Sequence, residues 1–402
     1  MRELPVPGDI RHEREQTSVP CSCSFTLFVI VFMQSIGEVP VDEAHELTQK
    51  IKRKALELGF ARVGVTTADP IEGYEDELCR RHGYDLWNVS DPDSKLRLAA
   101  RPREKVPGVK SVISLVRAVG RIDYPKELLE HLGRIYLSRS YLPPDDTLEG
   151  KRVLLFEEYL ESLGVHSLYN HTNMQLVDRA IAARAGLVTY GRNNFAYADE
   201  LGSFIIFVTI PVDVELECEV HEPRRGCPDG CRKCIDACPT HAMDDDGALD
   251  PTRCVLYSNF MPGERKDPAV TALINQRVHG CDACQVACPR NAHVLEASKA
   301  PDPYLDWLAD SFSLEQMLFC DEDYYEACIR PVMFNYIRDI DIFRQNAAIA
   351  MGNSGDACYL PALRRAAAEG SEQVRRFAKI AIERIETKAG NRSACPQYGG
   401  RA

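Results

Sequence analysis

The sequence predicts an α+β protein in three parts, and three observations carry that prediction. Short apolar, β-branched runs alternate with amphipathic helical patterns over residues 37–215. Eight of the sixteen cysteines crowd between positions 227 and 288. Two helical stretches near the C-terminus superimpose on each other residue by residue. The expected parts are an N-terminal α/β domain over 37–215, a cysteine-rich metal-binding domain over 216–300 and a short HEAT-like helical region over 301–390. Residues 1–36 and 391–402 are read as tails or, at the N-terminus, as an extension upstream of a later start at Met33.

In the first part, Ala44, Leu47, Ile51, Ala55 and Leu58 recur at steps of three and four, which marks an amphipathic helix over 42–58. Strands are expected at 61–65, at 111–116 after the breaker Pro107-Gly108, and at 203–210 after Gly202. Helical patterns separate them at 151–163 and 176–185, the second stopped by Gly186. The stretch 139–150, with paired prolines and clustered acids, reads as a loop, either a solvated connector or a lid over a pocket. In the third part Arg344, Ala347, Ile349 and Ala350 match Arg375, Ala378, Ile380 and Ala381, the small-and-aliphatic face of a helical repeat or of plain core helices.

A net charge of −12 opposes a polyanion in bulk, so contact with nucleic acid needs a local basic patch. The apolar run Phe25 to Met33 is too short to span a bilayer, and no twin arginine precedes it. A cytoplasmic protein without membrane attachment is therefore expected, and clustered reduced thiols suit that compartment. The cysteines outside the cluster, at 21, 23, 79, 218, 320, 328, 358 and 395, are scattered and read as small hydrophobes or free thiols.

The clustered cysteines carry the chemistry. Cys227, Cys231, Cys234 and Cys238 form one motif and Cys281, Cys284 and Cys288 end another, each closing on cysteine-proline, as in bacterial ferredoxins. Each iron corner of a [4Fe–4S] cubane takes one thiolate, and the cysteine before proline reaches the other cluster. Cys227, Cys231, Cys234 and Cys288 are thus assigned to one cluster, and Cys238, Cys254, Cys281 and Cys284 to its partner. Structural zinc would use separated pairs and four ligands per ion, which two proline-terminated triplets do not suit. The first motif is one residue longer than usual between Cys227 and Cys231, an excess that Gly230 can absorb as a bulge. Two adjacent clusters form an electron path, and the large preceding domain is the place for its terminus. No G-x-G-x-x-G, Walker or D-x-H-x-x-G motif names the cofactor there.

In ALELGFARVGV, AIAARAGLVTYGRNN, the split cysteine block with its early Cys254, and RQNAAIAMGNSGD, the chain resembles the epoxyqueuosine reductase family over about residues 43–386. These are cobalamin-dependent iron–sulfur enzymes of queuosine biosynthesis that act on tRNA and are related to reductive dehalogenases. The resemblance implies a corrinoid held base-off beside the nearer cluster, with Gly191, Arg192, Asn193, Tyr257 and Asp282 lining it. It also implies a low-potential electron donor such as ferredoxin or flavodoxin, and tRNA as the partner that carries the substrate. Where the family has its proton-donating aspartate this chain has Thr172, and where it has the lysine of GKN this chain has Arg192. The segment for the nucleoside is replaced by RIYLSRSYLPPDD. No catalytic residue is therefore assigned, and Tyr169, His171 and Tyr190 are the nearby alternatives. A reductive-dehalogenase-like enzyme and a non-catalytic electron carrier are the competing readings.

Overall fold

A computed structural model describes residues 41–80, 94–139, 143, 145–171, 175–245, 248–333 and 339–393. The tails at 1–36 and 394–402, the run Phe25 to Met33, Thr172 and part of the loop 139–150 lie outside the described residues. Residues 40–402 form one compact unit.

Helix α1, Val41–Glu57, forms on the predicted periodicity and buries Ile51 and Ala55 completely. Strands β1, Arg62–Thr67, and β2, Ser111–Ala118, follow. Helix α2 spans Leu148–Ser162 and α3 Asp178–Arg184. A short hairpin pairs β3, Thr189–Tyr190, with β4, Ala196–Tyr197, before β5, Ile205–Val212. The predicted loop ends earlier than expected, because the Thr147 hydroxyl accepts from the Gly150 amide at 3.0 Å and starts α2 at Leu148.

The main sheet has the order β1-β2-β5, antiparallel at both junctions. Alternation of strands with helices does not, then, produce parallel crossover units here. Strand β2 is buried from Ser111 to Arg117 because helices cover both faces of the sheet. Ile113 and Leu115 pack with Ile51, Phe156 and Leu160 of α1 and α2. Side chains of opposite parity face the other way: Val112 packs with Ile181 of α3, and Val116 with Ala182 and Ala183. This explains why the run reads as continuously apolar rather than alternating.

A second core is built from α4, Ile340–Ser354, α5, Leu360–Glu369, and α6, Glu372–Ser393. The two superimposable segments fall in α4 and α6, with Ala347, Ala350, Ala378 and Ala381 all buried. Leu128, Leu132 and Leu137, from the N-terminal half, belong to this same core, as do Val255 and Ile274 from the cysteine-rich segment. A buried lysine joins the two: the Lys266 ammonium donates to the Ser258 carbonyl and, at 2.5 Å, to Asn346 Oδ1. The Asn346 amide donates onward to the carbonyls of Asn259 and Val278 at 2.8 and 2.9 Å. Burial pulls Lys266 down to about 7.

Candidate metal centre and adjoining cavity

Each CxxC pair ends on a short helix, Cys234 on Lys233–Asp236 in the first motif and Cys284 on Ala283–Val286 in the second. Cys254 stands at the N-terminus of another, Val255–Phe260. The cysteine-rich segment has little apolar core of its own: Cys234, Ile235 and Met243, flanked by Cys238, Leu249 and Cys284. Gly230 holds φ at 68°, so the extra residue between Cys227 and Cys231 is taken up in a left-handed turn.

The eight thiols fall into two sets that interleave the motifs. Cys227, Cys231, Cys234 and Cys288 line one small cavity. Cys284 feels the charges of Cys281, Cys254 and Cys238, with Cys234 a weaker neighbour from the first set. Burial lifts the Cys284 thiol well above its ordinary range and Cys281 to about 11, so these groups stay protonated until a cation replaces the proton. Backbone amides are already aimed at sulfur, from Arg192 to Cys227 at 3.1 Å and from Ala242 to Cys238 at 3.3 Å. Amide donors of this kind stabilise a metal-bound thiolate. Among the described residues no three ligand side chains converge on a single-ion site, and the thiols surround a space instead.

The wall of the first cavity is the turn between β3 and β4. The Gly191 amide donates to the Phe195 carbonyl at 2.8 Å, closing the turn, and Asn194 holds φ at 63°. A Cβ on Gly191 would lie 2.5 Å from the Tyr197 ring and 2.6 Å from Asn193 Oδ1, so only glycine fits. The Asn193 amide donates to the Tyr197 hydroxyl at 2.9 Å and to the Cys284 carbonyl at 3.3 Å. The Arg290 guanidinium sits 4.3 Å over the Tyr197 ring. Behind this wall, Asn291 Oδ1 accepts from the Ser203 amide at 2.7 Å, and its own amide donates to the Gln285 carbonyl at 2.7 Å. The second motif is thereby fixed to the start of β5.

The same turn borders a second, larger cavity of about 420 Å³. Arg192 and Asn193 face the cysteines, whereas Tyr190, Asn194 and Phe195 face this cavity together with Asp178, Ile205 and Leu256. Of the three predicted alternatives for proton transfer, Tyr190 lines it and the other two do not. Tyr169 packs against the α1 and α2 core, where burial raises its phenol, and His171 is paired with Asp145 at 3.0 Å and Glu157 at 2.8 Å. Tyr257 adjoins the lining residue Leu256. Asp282 is committed elsewhere, accepting from the Arg134 amide at 3.0 Å and its guanidinium at 2.8 Å while only 5% exposed.

Asp178, which no sequence motif singles out, opens α3 among Leu176, Val177, Ala180 and Ile181, all buried. Burial lifts it to about 6, against the opposing pull of the Thr209 hydroxyl and the Arg179 guanidinium.

The fold and paired cysteine motifs define a double-cluster iron–sulfur protein: residues 227–291 match the 4Fe-4S double cluster binding domain. In sequence the chain is similar to epoxyqueuosine reductases. It is 27% identical to that of Bacillus subtilis over 330 residues, which cover 79% of this chain and 82% of the relative. It is 29% identical to that of Escherichia coli over 269 residues, covering 63% and 67%. The fold is shared with solved epoxyqueuosine reductases. One, in complex with an epoxyqueuosine-modified tRNA stem loop, superimposes with a TM-score of 0.69 at 23% identity, covering 88% of this chain and 96% of the other. That of Streptococcus thermophilus gives 0.65 at 22% identity, covering 88% and 95%. Among the described residues no helix is long and apolar enough to cross a membrane.

Proposed function

We propose that this chain is a cytoplasmic reductase that passes electrons singly through two [4Fe–4S] clusters into the larger cavity, where an epoxide on a tRNA nucleoside is reduced. The observation that carries the reading is the turn between β3 and β4, one face of which borders the cysteines and the other the cavity. Cys227, Cys231, Cys234 and Cys288 hold the cluster beside that turn, and Cys238, Cys254, Cys281 and Cys284 the outer one. A low-potential donor of the ferredoxin or flavodoxin type feeds them. The three parts then act as a cofactor domain over 37–215, a cluster domain over 216–300 and a HEAT-like helical support over 301–390.

The cavity agrees with a corrinoid held base-off, because its lining is largely aromatic and apolar beside Lys95, Asp178 and Arg179, and among the described residues no histidine lines it. Of the residues expected to line that group, Gly191, Arg192 and Asn193 form the part of the turn on the cysteine side, between cluster and cavity, Tyr257 neighbours the lining residue Leu256, and Asp282 is held by Arg134 away from the cavity. A bound corrinoid supplies a low-potential nucleophilic metal for two-electron reduction. The chain's own residues position it, exclude water with Phe195, Ile205 and Leu256, and supply protons.

The test uses anaerobically purified, cluster-loaded protein supplied with corrinoid, a low-potential reductant and tRNA carrying epoxyqueuosine. Deoxygenation of the nucleoside is expected. Loaded protein that leaves the epoxide intact but dehalogenates an organohalide would support the dehalogenase-like reading. Loaded protein that reduces neither would support an electron carrier.

A further inference from the structure

We propose that Asp178 is the proton donor of the larger cavity, protonating the oxygen that leaves the substrate as its carbon–oxygen bond is reduced. The role rests on the substrate reading above. Asp178 is the one carboxyl among the described residues that line the cavity. It opens α3 from the sheet side, so the residues beside it, Leu176, Val177 and Ala180, give that part of the lining an apolar character. Lys95, Tyr74 and Tyr136 share the lining with Arg179 of the same helix and Tyr190 of β3. From β5 the Thr209 hydroxyl faces the carboxyl without a hydrogen bond of ordinary geometry, and Tyr169 is close enough to feel its charge.

This placement supplies what Thr172 does not. A general acid is most effective when it titrates near the working pH, and burial has brought Asp178 to about 6. Reduction of an epoxide to an alkene consumes two electrons and two protons, breaks both carbon–oxygen bonds and releases water. The electrons come one at a time from the ferredoxin- or flavodoxin-type donor. Asp178 gives its proton to the oxygen as the first carbon–oxygen bond breaks, solvent supplies the second proton, and solvent then reprotonates the carboxylate.

The test compares wild type, Asp178→Asn and Asp178→Glu as full-length, cluster-loaded chains with equal iron content. The asparagine variant should lose turnover by about 10²–10⁴-fold. The wild-type decline in rate as pH rises through about 6 should disappear with it. Glutamate, which keeps the acid, should retain part of the rate and a pH-dependent limb.

A second readout needs no turnover. The folded carboxyl titrates above its unfolded range, so its contribution to stability is full below the unfolded value and is lost as pH rises through about 6. Asp178→Asn should therefore raise Tm more at about pH 7.5 than at about pH 4.5. Wild-type turnover matched by Asp178→Asn in rate and pH profile would overturn the assignment alone. A uniform Tm difference across pH would overturn the proton-holding state on which it depends. Loaded wild type that leaves the epoxide intact would overturn the substrate reading and this role together.

Discussion

Cys284→Ala should cost the protein about half of its iron and labile sulfide, because one of two cubanes loses a corner ligand. Cys284 lies among Cys238, Cys254 and Cys281, its carbonyl accepts the Asn193 amide, and it is part of the small apolar cluster of its own segment. That cluster, built on Cys234, Ile235 and Met243, is too small to hold the segment folded without metal. The loss should therefore appear in stability as well as in iron content, at more than about 4 kcal/mol. Cys358→Ala, at an exposed thiol outside both sets, is the control and should change neither. Iron assay with thermal unfolding checks both; a Cys284→Ala protein with full iron and unchanged melting would refute the ligand set.

Arg134→Met should be strongly destabilising, at about 3–5 kcal/mol. The guanidinium pairs at 2.8 Å with Asp282, which is 5% exposed and directly follows Cys281. It also lies 5.4 Å over the Phe204 ring. Methionine keeps the apolar stem but leaves a buried carboxylate with only the Arg134 amide at 3.0 Å as its named donor. Asp282→Asn on the Arg134→Met background should restore part of the loss, since it removes the stranded charge. Urea unfolding of the two single variants and the double measures the coupling; full additivity would mean that the pair is solvated and contributes little.

Much of the fold was legible because local chemistry decided it. The strands fell within two residues of their predicted limits, since runs such as 111–116 are β-branched, apolar and flanked by breakers. The helix faces followed from their periodicity. What escaped was set by distant contacts. The antiparallel order of the sheet depends on long connections that carry no directional signal. The burial of Leu128, Leu132 and Leu137 in the helical core depends on residues more than a hundred positions away. In the candidate site, adjacent residues of one tight turn face different cavities, so the motif containing Gly191, Arg192 and Asn193 was visible but its division was not. Asp178 looked like an ordinary first-turn acid, of the kind that the helix dipole favours anywhere. Only the surrounding cavity distinguishes it.

Cofactor content is the most direct measure of the central claim that this chain is a double-cluster iron–sulfur protein. Anaerobically reconstituted protein should contain about eight irons and eight labile sulfides per chain, the complement of two cubanes held by eight thiolates. Stoichiometric zinc in their place, with no labile sulfide, would contradict the account.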